Sequence, residues 1–181
     1  AQYQAALRSV TYNSASEDPT VNNTRNNRTI TWNVTDANSD AVGAQTSVGV
    51  TSAINLTAVY DTPVVTAGAT LAYTENAAAA VIDATITLAD ADDTQLASAS
   101  VTITSVVVGD VLGFTTQNGI TGVYSSGTGV LALSGTATLA QYQAALRSVT
   151  YNSASEDPTV NNTRNNRTIT WVVTDANSDA V

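Results

Sequence analysis

The sequence predicts an all-β fold, a β-sandwich of short strands with one short helix, arranged as tandem repeats. Three observations predict this fold. Apolar and polar residues alternate over several short stretches, turns containing Gly and Ser separate these stretches, and one long segment of the chain occurs twice. Several short alternating strands at regular spacing are typical of a sandwich.

The repeated segment is long and nearly invariant. Residues 1–42 recur as residues 140–181 with a single difference, Asn33 against Val172, so the period is 139 residues. Solenoid repeats have periods of about 20 to 50 residues, whereas about 100 to 150 residues is the size of a domain. We therefore expect head-to-tail domains of nearly identical sequence.

The strands are predicted from a period of two. Residues 82–88 alternate, with Ile82, Ile86 and Leu88 on one face, and residues 99–104 alternate in the same way. Further predicted strands span residues 111–115, 122–124, 130–133 and 167–174. In the last of these, Ile169, Trp171 and Val173 share one face.

One segment has helical rather than strand spacing. Leu139, Tyr142 and Leu146 recur at this spacing, and Thr138 with Gln141 forms a capping box. We predict a helix over residues 139–147 that packs over an open end of the sandwich, with Tyr142 and Leu146 in the core. Its copy covers residues 1–8.

The boundary between repeats is predicted within residues 58–68, where Pro63 argues against a continuous central strand. We expect residues 1–61 to be the C-terminal part of a preceding repeat. Residues 62–181 then form a repeat that lacks its final strand, the equivalent of residues 51–59. Either the polypeptide continues at both ends, which we favour, or a neighbouring chain completes each domain by strand addition.

The composition removes most catalytic chemistry. The chain has no Cys, His, Met or Lys, which excludes disulfides, thiolate zinc sites, histidine-based triads and Schiff bases. A pair of carboxylates across a cleft remains, but the acids occur in loops that resemble metal sites. We therefore expect no enzyme activity.

The charge balance is acidic, with 15 acids against six arginines and a net charge of −9. This charge disfavours nucleic acid and anionic membrane surfaces as partners and favours either solvation or hard cations such as calcium. No apolar run has the length of a membrane span. Avoidance of Cys with abundant Thr, Ser, Asn, Ala and Gly is compatible with a secreted bacterial surface protein.

The acids occur in groups within predicted loops at strand ends. The groups are Glu17 and Asp18; Asp36, Asn38 and Asp40; Asp61; Glu75; Asp90, Asp92 and Asp93; Glu156 and Asp157; and Asp175, Asn177 and Asp179. Alternating Asp-x-Asn-x-Asp in a turn directs several oxygens to one centre, and calcium takes six to eight oxygen ligands. One such loop alone is usually only solvated, but several together make calcium the expected metal.

Four runs carry a resemblance to a known family: "TLAYTENAAAAVIDATITLADADD", "LAQYQAALRSVTYNSASEDP", "RTITWVVTDANSD" and "INLTAVYDTPVV". Together they resemble bacterial cadherin-like repeats of very large secreted surface proteins, including adhesins of the RTX type. The "YQAALRSVTY" block is also similar to the chondroitin-sulfate-proteoglycan (CSPG) repeat. The resemblance implies a Greek-key sandwich of cadherin or immunoglobulin type, head-to-tail domains and calcium at the junctions.

The resemblance also implies metal ligands. Glu75 matches the early-strand glutamate, Asp61 matches the linker aspartate, and Tyr60 stands where a calcium-ligating Asn often occurs. The remaining matches are the acidic loop of Asp90, Asp92 and Asp93 and the acidic pair of Glu156 and Asp157.

These observations favour an extracellular spacer or filament domain, rigidified by calcium, in a bacterial surface adhesin or fibre. Its expected partners are neighbouring identical repeats or chains. Two alternatives stay open. One is an adhesion module that binds a carbohydrate or another cell-surface ligand, and the other is a fibre assembled from separate chains by strand exchange.

Overall fold

The computed structural model describes residues 2–21 and 23–177. They form two compact units, one ending at Val59 and the other beginning at Tyr60. The regular secondary structure is mostly β-strand in several antiparallel sheets, with two short helices, consistent with an all-β sandwich. Neither helix of the described chain combines the length and apolar character needed to cross a bilayer.

The first unit contains helix α1 (Gln2–Arg8) and the strands β1 (Asn27–Trp32) and β2 (Val50–Asn55), which pair antiparallel. The second unit contains β3 (Val64–Thr66), β4 (Ala80–Val81), β5 (Thr87–Ala89), β6 (Gln95–Ile103), β7 (Asp110–Gly113), β8 (Thr121–Ser125), β9 (Val130–Thr138), α2 (Leu139–Arg147), β10 (Thr150–Ser153) and β11 (Ile169–Asp175).

The second unit is organised around strand β6. The largest sheet has the order β11-β6-β9-β8, beside a three-stranded sheet β4-β10-β7 and the pair β3-β5. Ala99, Val101 and Ile103 of β6 are buried while the residues between them are half-buried, so the predicted alternation is confirmed. Leu131 and Leu133 of β9 are buried in the same core.

Helix α2 is confirmed at the predicted residues. The Thr138 hydroxyl accepts a hydrogen bond from the Gln141 N–H at 3.2 Å, and the Gln141 side-chain oxygen accepts one from the Thr138 N–H at 2.9 Å. Tyr142 and Leu146 are fully buried. The Tyr142 hydroxyl donates to the carbonyl oxygen of Gly135 at 2.7 Å, which gives this buried polar group a partner.

The predicted strand over residues 82–88 is wrong, because a buried carboxylate turns the chain there. Asp83 is 2% exposed. It accepts hydrogen bonds from the N–H groups of Gly68 (2.9 Å), Ala69 (3.0 Å) and Thr85 (2.7 Å) and from the Thr85 hydroxyl (2.6 Å). The strand is thereby divided into β4 and β5, and the alternation reflects only the burial of Ile82 and Ile86 on either side of the turn.

The two copies of the repeated helix share a conformation but not an environment. Tyr3 of α1 is 79% exposed, whereas its copy Tyr142 is 0% exposed. Helix α2 lies against β5, β6 and β9, while α1 buries none of its residues. The local sequence therefore specifies the helix, and the surrounding strands decide whether its apolar face contributes to a core.

We predict that Asp83→Ala destabilises the second unit by about 3 kcal/mol, because three backbone N–H groups lose a charged acceptor. Burial disfavours the Asp83 anion, but the hydrogen bonds from Thr85, Ala69 and Gly68 outweigh it and hold the pKa of Asp83 well below its usual range. The stabilisation is therefore complete above the unfolded value of 3.8 and is lost as pH falls through the folded pKa.

Denaturant unfolding in chelator measures this effect, with Asp157→Ala as the control. Asp157 also accepts hydrogen bonds in a turn, but it is exposed. Equal effects of the two substitutions at pH 6 would contradict the role assigned to Asp83.

Candidate metal centre

Three acids converge in the loop between β5 and β6. One carboxylate oxygen from each of Asp90, Asp92 and Asp93 lies within 4.8 Å of the others. The N–H groups of Asp92 and Asp93 donate to Asp90 Oδ1 at 3.4 and 3.2 Å, which curls the loop around that carboxylate. Asp93 is 4% exposed, so the acids are held together at a largely buried position.

Two oxygens of this cluster are buried without a donor. Among the described residues, no N–H or hydroxyl group donates to Asp90 Oδ2 or Asp92 Oδ1. Buried polar atoms nearly always have a partner, so these two oxygens require an explanation. Burial, together with the neighbouring Asp92 side chain, raises the pKa of the Asp90 carboxyl.

The start of the second unit lies against the same cluster. The Asp61 N–H donates to Asp92 Oδ2 at 3.0 Å. The Tyr60 hydroxyl donates to the carboxylate of Asp175 at the end of β11. This hydrogen bond, burial, and the negative charges of Asp175, Asp93 and Asp90 raise the pKa of Tyr60 to about 12.

Asp175 lies at the same end of the unit. It is 8% exposed, and its Oδ1 accepts a hydrogen bond from the Asn177 N–H at 2.9 Å. The structure thus brings together Asp61, the Asp90–Asp93 loop and Asp175, which the sequence analysis proposed as separate groups. Asp179, the last member of the Asp175 group, lies outside the described residues.

Other candidate acids of the second unit lie at its opposite end. Strand β6 has nine residues and runs between the two ends, which places them about 27 Å apart. Asp157 accepts hydrogen bonds from the Asn161 N–H (2.7 Å) and the Thr159 hydroxyl (2.9 Å), and these contacts lower the pKa of Asp157. Glu156 is exposed beside it, and Glu75 is exposed in the turn after Tyr73.

The candidate acids of the first unit stabilise turns. Asp36 accepts hydrogen bonds from the Asn38 N–H at 2.8 Å and the Gln45 N–H at 3.1 Å. The other polar residues of these groups also accept hydrogen bonds from nearby backbone N–H groups. The Asn38 side chain accepts from Gly43, Asp40 accepts from Val42, and Asp18 accepts from Thr20. Glu17 is exposed. The described residues of this unit contain no group of three acids comparable to the Asp90 cluster.

Asp110 is a buried carboxylate that lies outside the acidic groups predicted from the sequence. It is 1% exposed and accepts hydrogen bonds from Arg167 Nε at 2.5 Å, the Tyr151 hydroxyl at 2.6 Å and the Val107 N–H at 2.8 Å. Asp110 is therefore satisfied by protein donors. No local pattern marks it, because Arg167 and Tyr151 lie far along the chain.

The aromatic residues that could form a sugar-binding face are partly buried. Tyr124 and Trp171 pack against the core of the second unit. The Tyr124 hydroxyl donates to the carbonyl oxygen of Asp110 at 2.9 Å. Both side chains therefore contribute to packing.

Comparison with known proteins gives no match for this chain among family models, curated proteins or solved structures. A function is therefore inferred from the geometry of the Asp90 cluster.

We predict that Tyr60→Phe destabilises the second unit in chelator, because nearly buried Asp175 loses a donor. Tyr12→Phe is the control, since Tyr12 is similarly exposed, at 42% against 41%, but belongs to the first unit. Thermal unfolding followed by circular dichroism compares the two variants. Equal midpoints would show that the Tyr60–Asp175 hydrogen bond contributes nothing to stability.

Proposed function

We propose that the chain is an extracellular structural module of cadherin-like, Greek-key type, whose tandem units are stiffened by calcium. The proposed ion lies where the second unit begins, at Asp90, Asp92, Asp93 and Asp61. The observation that carries the proposal is the pair of buried carboxylate oxygens, on Asp90 and Asp92, that have no hydrogen-bond donor among the described residues.

The donor chemistry of this cluster fits calcium. All its ligand atoms are oxygens, which hard cations prefer, and the chain has no Cys or His for softer metals. Calcium accepts six to eight oxygens in an adaptable geometry, whereas magnesium requires a near-ideal octahedron. The carboxylates of Asp90, Asp92 and Asp93 supply the first ligands, and Asp61, Asp175 and the backbone carbonyls of the loop are the nearest candidates for the others.

The electrostatics of the cluster also favour a cation. Two ionised carboxylates about 5 Å apart repel by roughly 3 kcal/mol at the effective dielectric of a protein surface. The one ion pair found among the described residues, between Arg167 and Asp110, lies at the opposite end of the unit. A divalent ion would therefore remove a repulsion that no ion pair of the described residues offsets there.

The position of the cluster supports a role in stiffening. Tyr60 and Asp61 directly follow Val59, the last residue of the first unit before the boundary. An ion held by the Asp90–Asp93 loop and by Asp61 would fix the chain at the point where it joins the second unit. Because the sequence repeats, a tandem array would carry the same constraint once per period of 139 residues.

We predict that millimolar calcium raises the unfolding midpoint of the second unit. Saturation at 100 times the dissociation constant corresponds to about 2.7 kcal/mol. The double variant Asp90→Asn/Asp92→Asn should lose this increase, and in chelator it should be at least as stable as the wild type, because repulsion is reduced. Calorimetry with and without chelator measures both effects.

The matched control is Glu156→Gln/Asp157→Asn, which removes the same charge at the opposite end. It should keep the calcium-dependent increase. A wild type insensitive to calcium, or a double variant at Asp90 and Asp92 that responds as the wild type does, would overturn the proposal.

The pKa of Asp90 predicts how calcium and pH act together. Because its folded pKa is raised above the unfolded value of 3.8, its stabilising contribution is complete below 3.8 and is lost as pH rises through the folded value. In chelator, the wild type should therefore gain stability relative to Asp90→Asn as pH falls from 7 toward 3.8. Calcium should stabilise the wild type less at the acidic end of this range than at pH 7, because protons compete for the same carboxylate.

Unfolding midpoints of the wild type and Asp90→Asn over this pH range test the prediction. Parallel curves for the two proteins would contradict it.

A further inference from the structure

The two copies of one strand sequence pair with different neighbours. Ile169–Trp171 at the start of β11 repeat the Ile30–Trp32 end of β1. Strand β1 pairs with β2, whereas β11 pairs with β6. The two pairings can be combined in one sheet only if they use opposite edges of the repeated strand.

The hydrogen bonds of β11 identify the edge that faces β6. The carbonyl oxygen of Thr168 accepts from the Thr104 N–H at 3.0 Å, and the Ala176 N–H donates to the carbonyl oxygen of Gln95 at 3.1 Å. Backbone groups of an antiparallel strand point to its two neighbours alternately. The even-numbered residues of β11 therefore direct their backbone groups toward β6.

The hydrogen bonds of the first copy use the other set of residues. The carbonyl oxygens of Asn26 and Val34 accept from the N–H groups of Leu56 and Ser47, at 2.7 and 2.8 Å. With the period of 139, Asn26 and Val34 correspond to residues 165 and 173, which are odd-numbered. The edge that pairs with β2 in the first copy is therefore the outer edge of β11 in the second copy.

In the part of the chain that the structure describes, no strand pairs with this outer edge, although β3 contacts β11. Strand β11 is the terminal strand of its sheet, and β6 is its only strand partner among the described residues. A terminal strand presents a row of backbone donors and acceptors that can pair with an added strand.

A cleft with both apolar and polar walls adjoins the same edge. It has a volume of about 490 Å³, and its walls include Leu71, Tyr73, Ile82, Ile169 and Trp171. Ile169 and Trp171 are only partly buried on the core-facing side of β11. The core therefore remains open where one more strand would lie.

Strand β2 has the side chains that fit this cleft. In the first unit, Val50 lies opposite Trp32 and Ile54 lies opposite Arg28. The same register on β11 places Val50 opposite Trp171 and Ile54 opposite Arg167, on the face that contains Ile169. Val50 is 64% exposed in its present pairing with β1.

We propose that the outer edge of β11 and the adjoining cleft form a docking surface for strand β2 of a second copy of this chain, in the register of the β1–β2 pair. The sheet then has five strands, in the order β2-β11-β6-β9-β8. A two-stranded sheet is marginally stable, so strand β2 is more stable in a larger sheet that packs against a core than it is beside β1. Each chain donates at one site and accepts at another, so the contact is heterologous and propagates into a fibre or ring.

The absence of cysteine allows a direct test of this register. Thr51 lies opposite Thr31 in the β1–β2 pair, so it should lie opposite Thr170 of a second chain. Chains carrying Thr51→Cys and Thr170→Cys, with tags of different size, are unfolded, mixed and refolded in a glutathione redox buffer. The buffer contains chelator, so the result does not depend on calcium.

The expected product is a mixed disulfide dimer that joins the two tagged chains. The control replaces Thr51→Cys by Ala53→Cys, which lies on the same face of β2 and is also exposed, but is two residues out of register. The in-register pair should give about ten times more mixed dimer, because the cysteines must lie within disulfide distance. Equal yields from the two pairs would overturn the proposal.

Proline substitutions give an independent readout. The Leu56 N–H faces β1, so even-numbered residues of β2 direct their N–H groups toward the paired strand and odd-numbered residues direct theirs away. Ser52→Pro should abolish self-association of the chain in sedimentation velocity, whereas Ala53→Pro should preserve it. Wild-type protein that stays monomeric after refolding, or equal association of the two variants, would also overturn the proposal.

Discussion

The candidate metal centre depends on one constraint, the confinement of three carboxylates in a short loop between two strands that the core holds in place. Leu96 of β6 is fully buried and Leu88 of β5 packs against the same core, so the intervening loop cannot move outward without exposing apolar surface. The acids Asp90, Asp92 and Asp93 are therefore held close together by hydrophobic burial, in opposition to their mutual repulsion.

The other buried carboxylates of the unit show how protein donors compensate for such burial. Asp83 receives bonds from backbone N–H groups and a hydroxyl, and Asp110 receives bonds from an arginine, a tyrosine hydroxyl and an N–H. In the Asp90 cluster, by contrast, two buried oxygens have no donor among the described residues. This difference separates a structural carboxylate from a candidate metal ligand more sharply than acidity or exposure does.

The near-identical copies separate what local sequence specifies from what tertiary contacts specify. The helix forms in both copies, and so does the loop in which Arg28 or Arg167 donates to the carbonyl oxygen of Pro19 or Pro158. The helix is buried in one copy and exposed in the other, and the repeated strand pairs with a different strand in each copy. These features depend on neighbouring strands, which a single segment of sequence does not contain.

The same distinction explains how far the sequence alone could predict the fold and the candidate site. Strand β6 and helix α2 were predictable because periodicity and a capping box are local signals. The interruption at Asp83 was not, because a buried, hydrogen-bonded carboxylate has the same place in an alternating pattern as an exposed one. The contact of Tyr60 with Asp175 joins residues 115 positions apart, and no local pattern indicates it.

The most direct test of the central claim is a calcium titration of the full chain, followed by the backbone amide resonances of Asp61, Asp92 and Asp93. An ion bound by the cluster should shift these resonances saturably. The resonances of Asn161 at the opposite end of the unit and of Asn38 in the first unit should not move. Resonances that do not respond, or a uniform drift at every acidic loop, would mean that calcium acts only as a diffuse counterion.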